Sequence, residues 1–245
     1  MASILCIETS TEVCSVALAN DGCVVELRED KNGKNHAQLL TGFVENIILT
    51  KNISFSSLDA IAVSGGPGSY TGLRIGVSTA KGLCYATGLP LIAIPSLESM
   101  AHHVISNPYI FGFKKDESLF YCPMIDARRM EVYDCVYNNR LVKVREIQAD
   151  IVDHLSFASL LLDQKILFFG NGADKCMTTI KHPNALFLEN VTTSAGHMAR
   201  LAEDAWLAGK FVDVAYYEPF YLKDFVATIP TKNIFHTNTN SHPPE

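Results

Sequence analysis

The run Ser64-Gly65-Gly66-Pro67-Gly68-Ser69-Tyr70-Thr71-Gly72-Leu73-Arg74-Ile75-Gly76 is the tightest constraint in the chain. It follows an apolar stretch, Asp59-Ala60-Ile61-Ala62-Val63, that reads as a buried strand. It opens a run rich in alanine and leucine, Val77 to Thr87, that reads as a helix. A strand, a glycine turn and a helix start form an anion-binding arrangement in principle: bare N–H groups point outward and the helix dipole favours negative charge. The turn matches neither common phosphate code. A dinucleotide fingerprint begun at Gly66 would need glycine at Thr71, and a P-loop would need a lysine, which does not follow until Lys81. The segment asks for an α/β fold without supplying a standard nucleotide clamp.

The order of elements extends this. Short apolar strands at Ile4–Ile7, Cys14–Ala19 and Cys23–Leu27 precede a segment with Leu39, Leu40, Phe43, Val44, Ile47 and Ile48 at helical spacing. A strand at Ala60–Val63, the glycine loop, a helix near 70–87, a strand at Leu91–Ile94 and a helix from Pro95 to about Ser106 follow. After a break at Asn107–Ser118 the same order returns. Strands are predicted at Leu119–Ile125, Glu131–Tyr137 and Leu141–Ile147, then a helix at Ile151–Leu162 and a strand at Lys165–Phe169. A short helix at Lys175–Ile180, a strand at Ala185–Leu188 and a helix at Ser194–Ala208 complete the set. Three antiparallel strands followed by two right-handed crossovers make a mixed five-stranded sheet flanked by helices. Two such units in tandem describe the two-lobed actin-like or Hsp70-like ATPase architecture, which is ribonuclease H-like. The expected divisions are a first lobe at 1–108, a second at 109–209, a return segment at 210–227 that packs on the first lobe, and a polar tail at 228–245 that frays.

Composition removes several classes. A net charge of −6 over 245 residues argues against a duplex-binding module. Seven scattered cysteines with no C-x-x-C pair suggest a reducing compartment and no structural zinc. No window approaches the ~18 apolar residues of a membrane span, and a cytoplasmic location is expected. Among eight histidines there is no H-E-x-x-H and no H-x-x-x-H, so no catalytic metal site is expected.

Kinases of this architecture place a D-x-G turn after the first strand; here it is Glu8-Thr9-Ser10. Glu8 is either a remnant metal-phosphate acid or a cap on its own turn, and the cap is favoured. Gly170 and Gly172 either let a ligand approach the backbone or serve a strand-to-helix turn. Asp126 with Arg128 and Arg129 is a charged cluster at a strand turn, either a satisfied ion pair or an anion contact. The helix around 36–50 and the one after the glycine loop are apolar or small on more sides than a sheet-packed surface helix needs. The neighbour that covers them is either each other or a second protein.

Ile4–Ser10 with Cys14–Leu18, the run from Ser64 to Leu83, Ile94-Pro95-Ser96-Leu97-Glu98, and Asp126-Ala127-Arg128 before Glu131-Val132-Tyr133 resemble the bacterial TsaB (YeaZ) family over roughly residues 3–224. The resemblance implies a non-catalytic subunit in the making of threonylcarbamoyladenosine in tRNA. It implies a first lobe that dimerises with the related catalytic subunit TsaD, and a pair that recruits the ATPase TsaE. Contact residues are then expected at His36, Leu40, Phe43 and Ile47 on one helix and Leu73, Arg74, Val77 and Lys81 on the other. No cofactor is expected, tRNA is reached only through the complex, and the chain alone is expected to form a homodimer. Glu8 stands where the family usually has aspartate, and Lys223 where it has arginine, which turns a bidentate contact into a point charge. The competing functions are a small-molecule kinase or carbamoyl transferase of actin-like fold, on the Glu8 and Gly170–Gly172 turns, and a glycoprotease-like metallopeptidase, for which no residue speaks.

Overall fold

The computed structural model describes residues 2–33, 35–113 and 118–223. The first three strands, β1 (Ser3–Glu8), β2 (Cys14–Asn20) and β3 (Cys23–Asp30), form an antiparallel meander. Its first tight turn puts Asp21 and Gly22 at φ 52° and 74°, a region where those two residue types are tolerated. Helix α1 (His36–Lys51) leads to β4 (Ala60–Ser64), α2 (Tyr70–Thr87), β5 (Leu91–Ile94) and α3 (Ser96–Ser106). β4 pairs parallel with β1 and β5 parallel with β4, giving the order β3-β2-β1-β4-β5. Helix α2 starts where Ser69 Oγ accepts the Gly72 N–H and stops where Gly88, at φ 75°, donates to the Cys84 carbonyl.

The second sheet repeats the plan with β6 (Phe120–Asp126), β7 (Glu131–Tyr137), β8 (Lys143–Ile151), β9 (Ile166–Phe169) and β10 (Ala185–Leu188) in the order β10-β9-β6-β7-β8. This is the two-lobed actin-like architecture. Two local expectations fail here. β8 runs on to Ile151, because Gln148 to Ile151 pair in continuous register with Asp134 to Glu131 of β7. The helix expected over Ile151–Leu162 shrinks to α4 (Ala158–Leu161): Asp153 accepts from the Leu155 N–H and the Ser156 hydroxyl, holding a turn instead. The short helix expected over 175–180 is α5 (Ala173–Cys176), and that over 194–208 divides into a 3-10 turn (Ala195–Met198) and α6 (Ala199–Leu207).

The core corrects the lobe boundaries. α1 and α2 lie on one face of the first sheet, where Leu40, Val44, Ile47, Val77 and Ala80 meet Leu5, Ile7, Val16, Ile61 and Val63. Each of the larger of these side chains contributes roughly 1.5–3 kcal/mol by leaving water. The opposite face is covered by Ala195, Met198 and Ala202 of the 3-10 turn and α6, against Ile4, Cys6, Ala17, Ile92 and Ile94. α6, expected in the second lobe, thus completes the first. Conversely α3 packs Leu97, Met100, Ala101 and Val104 on Leu119, Tyr121 and Phe169 of the second sheet. The two crossing elements meet where His103 stacks on His197, ring centroids 3.6 Å apart. Residues 210–223 lie along the first lobe, with Val212 bridging to Leu91 and the Phe220 N–H donating to the Gly65 carbonyl. The tail at 228–245 lies outside the described residues. Among the described residues no helix is long and apolar enough to cross a membrane, and all seven cysteines are free.

Candidate functional site

Glu8 closes β1 and is 1% exposed. Its Oε1 accepts the Ser10 N–H at 2.6 Å, and the adjacent Thr9 N–H donates to Ser64 Oγ. Burial pushes the carboxyl above its usual range, with the bonds to Ser10 and Ser64 pulling the other way. Oε1 thus caps its own turn, while Oε2 is buried without a hydrogen-bond partner among the described residues. The glycines of the loop explain themselves in the same place. The Ser69 N–H donates to the Ser10 carbonyl at 2.6 Å, and Thr9 Oγ1 donates to the Gly72 carbonyl at 2.8 Å. A methyl group at Gly68 would run into the Ser10 carbonyl, one at Gly72 into the Thr9 carbonyl, and one at Gly76 into the Thr9 hydroxyl. What comes close to this loop is the turn after β1, seated on the start of α2.

Gly170 and Gly172 are likewise pressed on the end of β6: a Cβ at either would strike the backbone of Met124 or Ile125. Gly170 sits at φ 102°, where L side chains are strained. Between them Asn171 accepts the Asp126 N–H through its side-chain oxygen and donates to Glu12 at 2.7 Å, tying the two lobes together. Among the described residues no three His, Cys, Asp or Glu side chains converge as metal ligands.

The expected contact residues divide. Leu40, Ile47, Leu73 and Val77 are 0%, 0%, 1% and 4% exposed, so all four face the protein's own interior, and none can meet a partner directly. This corrects the reading that put them on the outside; an apolar stripe at helical spacing served the underlying sheet first. His36 is half-buried, its Nε2 within 3.0 Å of the Thr11 carbonyl. Phe43 is half-buried against the core. Lys81 donates to the carbonyls of Ala215 and Tyr217 at 3.0 and 3.1 Å, so it holds the return segment along α2. Arg74 is exposed, its guanidinium 5.0 Å from the Tyr70 ring, which itself lies 4.8 Å from the ring of Tyr221.

Of the contact residues expected from the sequence, only Arg74 lies on the surface that remains outward on the two helices. That surface includes Ala37, Gln38, Thr41, Gly42, Glu45 and Asn46 on α1, and Thr71, Arg74, Ser78, Gly82 and Ala86 on α2, with the large side chains Leu49 and Tyr85 at one end. Half-buried Leu39, Phe43, Ile75 and Leu83 fill the space behind it. Among the described residues, nothing beyond the helix's own neighbouring backbone lies within 4 Å of a Cβ built at Gly42 or Gly82. The signal in the sequence was the near absence of charge at positions between the apolar ones, where a solvated helix carries lysine and glutamate.

The chain matches the family described as TsaD: tRNA N6-adenosine threonylcarbamoyltransferase over residues 30–231. It is 30% identical over 230 residues to the Escherichia coli protein named tRNA threonylcarbamoyladenosine biosynthesis protein TsaB, covering 91% of this chain and 96% of that one. A tRNA N6-adenosine threonylcarbamoyltransferase of Geobacillus kaustophilus is 37% identical, but over 81 residues, 23% of its length. The solved structure of YeaZ from Pseudomonas aeruginosa superposes with a TM-score of 0.73 at 26% identity, over 91% of this chain and all of that one. Similarity along the whole length lies with the first and last of these, and the chain belongs to the TsaB (YeaZ) family, within the wider TsaD-type group.

Proposed function

We propose that this chain is a non-catalytic subunit of the assembly that makes threonylcarbamoyladenosine in tRNA, and that it docks a TsaD-type catalytic subunit through the outer face of α1 and α2. The observation that carries the reading is the character of that face. Two helices of 16 and 18 residues turn outward a surface of small, uncharged residues with one acid, Glu45, and one base, Arg74. Among the described residues nothing packs closely on Gly42 or Gly82, and glycine inside a helix costs about 1 kcal/mol relative to alanine. Close approach by another backbone accounts for both. The names of the curated relatives support the pathway. Support for a subunit without its own reaction comes from Glu8 and the loop glycines, which are engaged by the protein's own turn. In this reading a TsaE-type ATPase joins the pair, tRNA is met only in the complex, and the same face pairs two copies when the partner is absent.

The test is co-purification with a tagged TsaD-type subunit. Ser78→Arg and Gly82→Glu place charge on the outer face without touching the core. Both are expected to melt no lower than the parent, Gly82→Glu somewhat higher, and to lose the partner. A complex that survives both substitutions overturns the docking face. Heat released on mixing the isolated chain with millimolar ATP would favour a kinase of this fold instead.

A further inference from the structure

The turn between β6 and β7 contains Arg128 and Arg129 at φ 73° and 51°, the one pair of adjacent non-glycine residues in the left-handed region among those described. That region suits Gly, Asn and Asp far better than arginine. Lys175 of α5 holds the turn there. Its ammonium donates to Asp126 Oδ1 at 2.5 Å and to the carbonyls of Arg129 and Glu131 at 2.8 and 2.6 Å, while the Arg128 N–H donates to Asp126 Oδ1 at 2.7 Å. The lysine and the aspartate thus satisfy each other and the backbone. Both arginine side chains stay exposed, and neither has an ion partner among the described residues. Strain of this kind, kept in place by three bonds from one side chain, is characteristic of a functional turn.

Beside this turn the other acid is also engaged. Glu131 pairs with Lys223. Through residues 221–223 the row continues to Tyr221, Tyr70 and Arg74 on the first lobe. Two adjacent rings, Tyr221 and Tyr70, follow the cations along it, and the acids Asp126 and Glu218 are exposed beside them.

We infer that this row, led by Arg128 and Arg129 and continued by Lys223, contacts the phosphodiester backbone of an RNA. The inference rests on the proposed role in tRNA modification and names the part of this subunit that touches the tRNA. Guanidinium forks match phosphate oxygens in pairs, and rings between cations offer stacking to unpaired bases. A turn already ordered by Lys175 loses little freedom on binding. The net charge of −6 repels a polyanion at long range, so the contact is short-range, dependent on the assembled complex and sensitive to salt.

The experiment uses the full chain in complex with a TsaD-type subunit and a labelled tRNA transcript, with fluorescence anisotropy read from low to moderate salt. The double variant Arg128→Asn/Arg129→Asn removes both charges, and asparagine accepts the left-handed backbone. It is expected to weaken binding to all tRNAs alike and to lower the slope of log affinity against log salt by about 2, one per lost phosphate contact. Arg140→Asn, on the exposed hairpin at the far end of β7, is expected to change neither. Should the asparagine pair melt early, Arg128→Lys/Arg129→Lys keeps the charges, and is expected to retain the salt slope while losing affinity with the forks. Unchanged affinity and slope in a folded asparagine variant overturn the inference. So does loss of a protein partner with tRNA binding intact, which would assign the turn to an acidic protein surface. No tRNA binding by the parent complex would overturn the proposed function itself, and this inference with it.

Discussion

The glycines of α2 offer a sharp test, because sequence makes them alike and packing makes them opposites. Gly82 faces open solvent, and a methyl there meets nothing within 4 Å. Gly82→Ala therefore gains helix propensity alone, about 1 kcal/mol, which for a chain of this size raises the melting temperature by about 2–4 °C. Gly72 shares the helical backbone, but its added methyl would collide with the Thr9 carbonyl, a backbone atom that cannot swing aside. To accept it, the turn after β1 must lift, putting at risk the 2.8 Å bond from Thr9 Oγ1 to the Gly72 carbonyl and the 2.6 Å bond from the Ser69 N–H to Ser10. Overpacking of this kind costs about 1–3 kcal/mol, and a buried group left without its partner about 1–3 kcal/mol more. Gly72→Ala is expected to lower stability by roughly 2–6 kcal/mol. Denaturant titration followed by the fluorescence of Trp206, the only tryptophan, reads both variants. Equal stability of the two would mean that the turn after β1 does not sit on α2 as described.

Val77→Asp would bury a charge at a site 4% exposed and is expected to unfold the first lobe, so partner loss in that variant coincides with loss of the far-ultraviolet dichroism signal. Lys81→Met removes two bonds to the carbonyls of Ala215 and Tyr217; cleavage between 213 and 221 by limited proteolysis should accelerate, with roughly 1–3 kcal/mol less protection. His197 is pushed down to about 3, chiefly by burial and then by the neighbouring His103. A base whose folded value lies below its unfolded one, about 6.5, contributes stability that is present above 6.5 and lost as pH falls toward 3. His197→Phe keeps a ring against His103, so its acid unfolding midpoint should move to lower pH; an unmoved midpoint would remove the histidine from acid sensitivity. Glu8 has a shift of the opposite sign, but it is common to both proteins and drops out of the comparison.

The first lobe was legible because each of its elements carries its own period: alternation or short apolar runs in β1 to β5, and threes and fours in α1 and α2. The stretch 143–162 was not, because Asp153 and Ser156 supply side-chain bonds that compete with a helix, and apolar residues at 160–162 alone do not reveal that. The site was harder for a different reason. Leu40 and Val77 look the same whether a sheet or a partner covers them, and only three-dimensional packing names the neighbour. Gly72 and Gly82 are distinguished by Thr9, a residue more than sixty positions upstream. The exchange of α3 and α6 between sheets leaves no periodic trace at all, since an amphipathic helix does not record which sheet it meets.

That exchange has a practical outcome for anyone dividing the gene. A fragment ending at residue 108 would lack Met198 and Ala202 and bare the side of its sheet bearing Ile4, Ile92 and Ile94, while its complement would lack Leu97 and Met100 over Tyr121 and Phe169. Neither half is a self-sufficient folding unit, and soluble material should be recovered only when both are produced in the same cell and allowed to reunite.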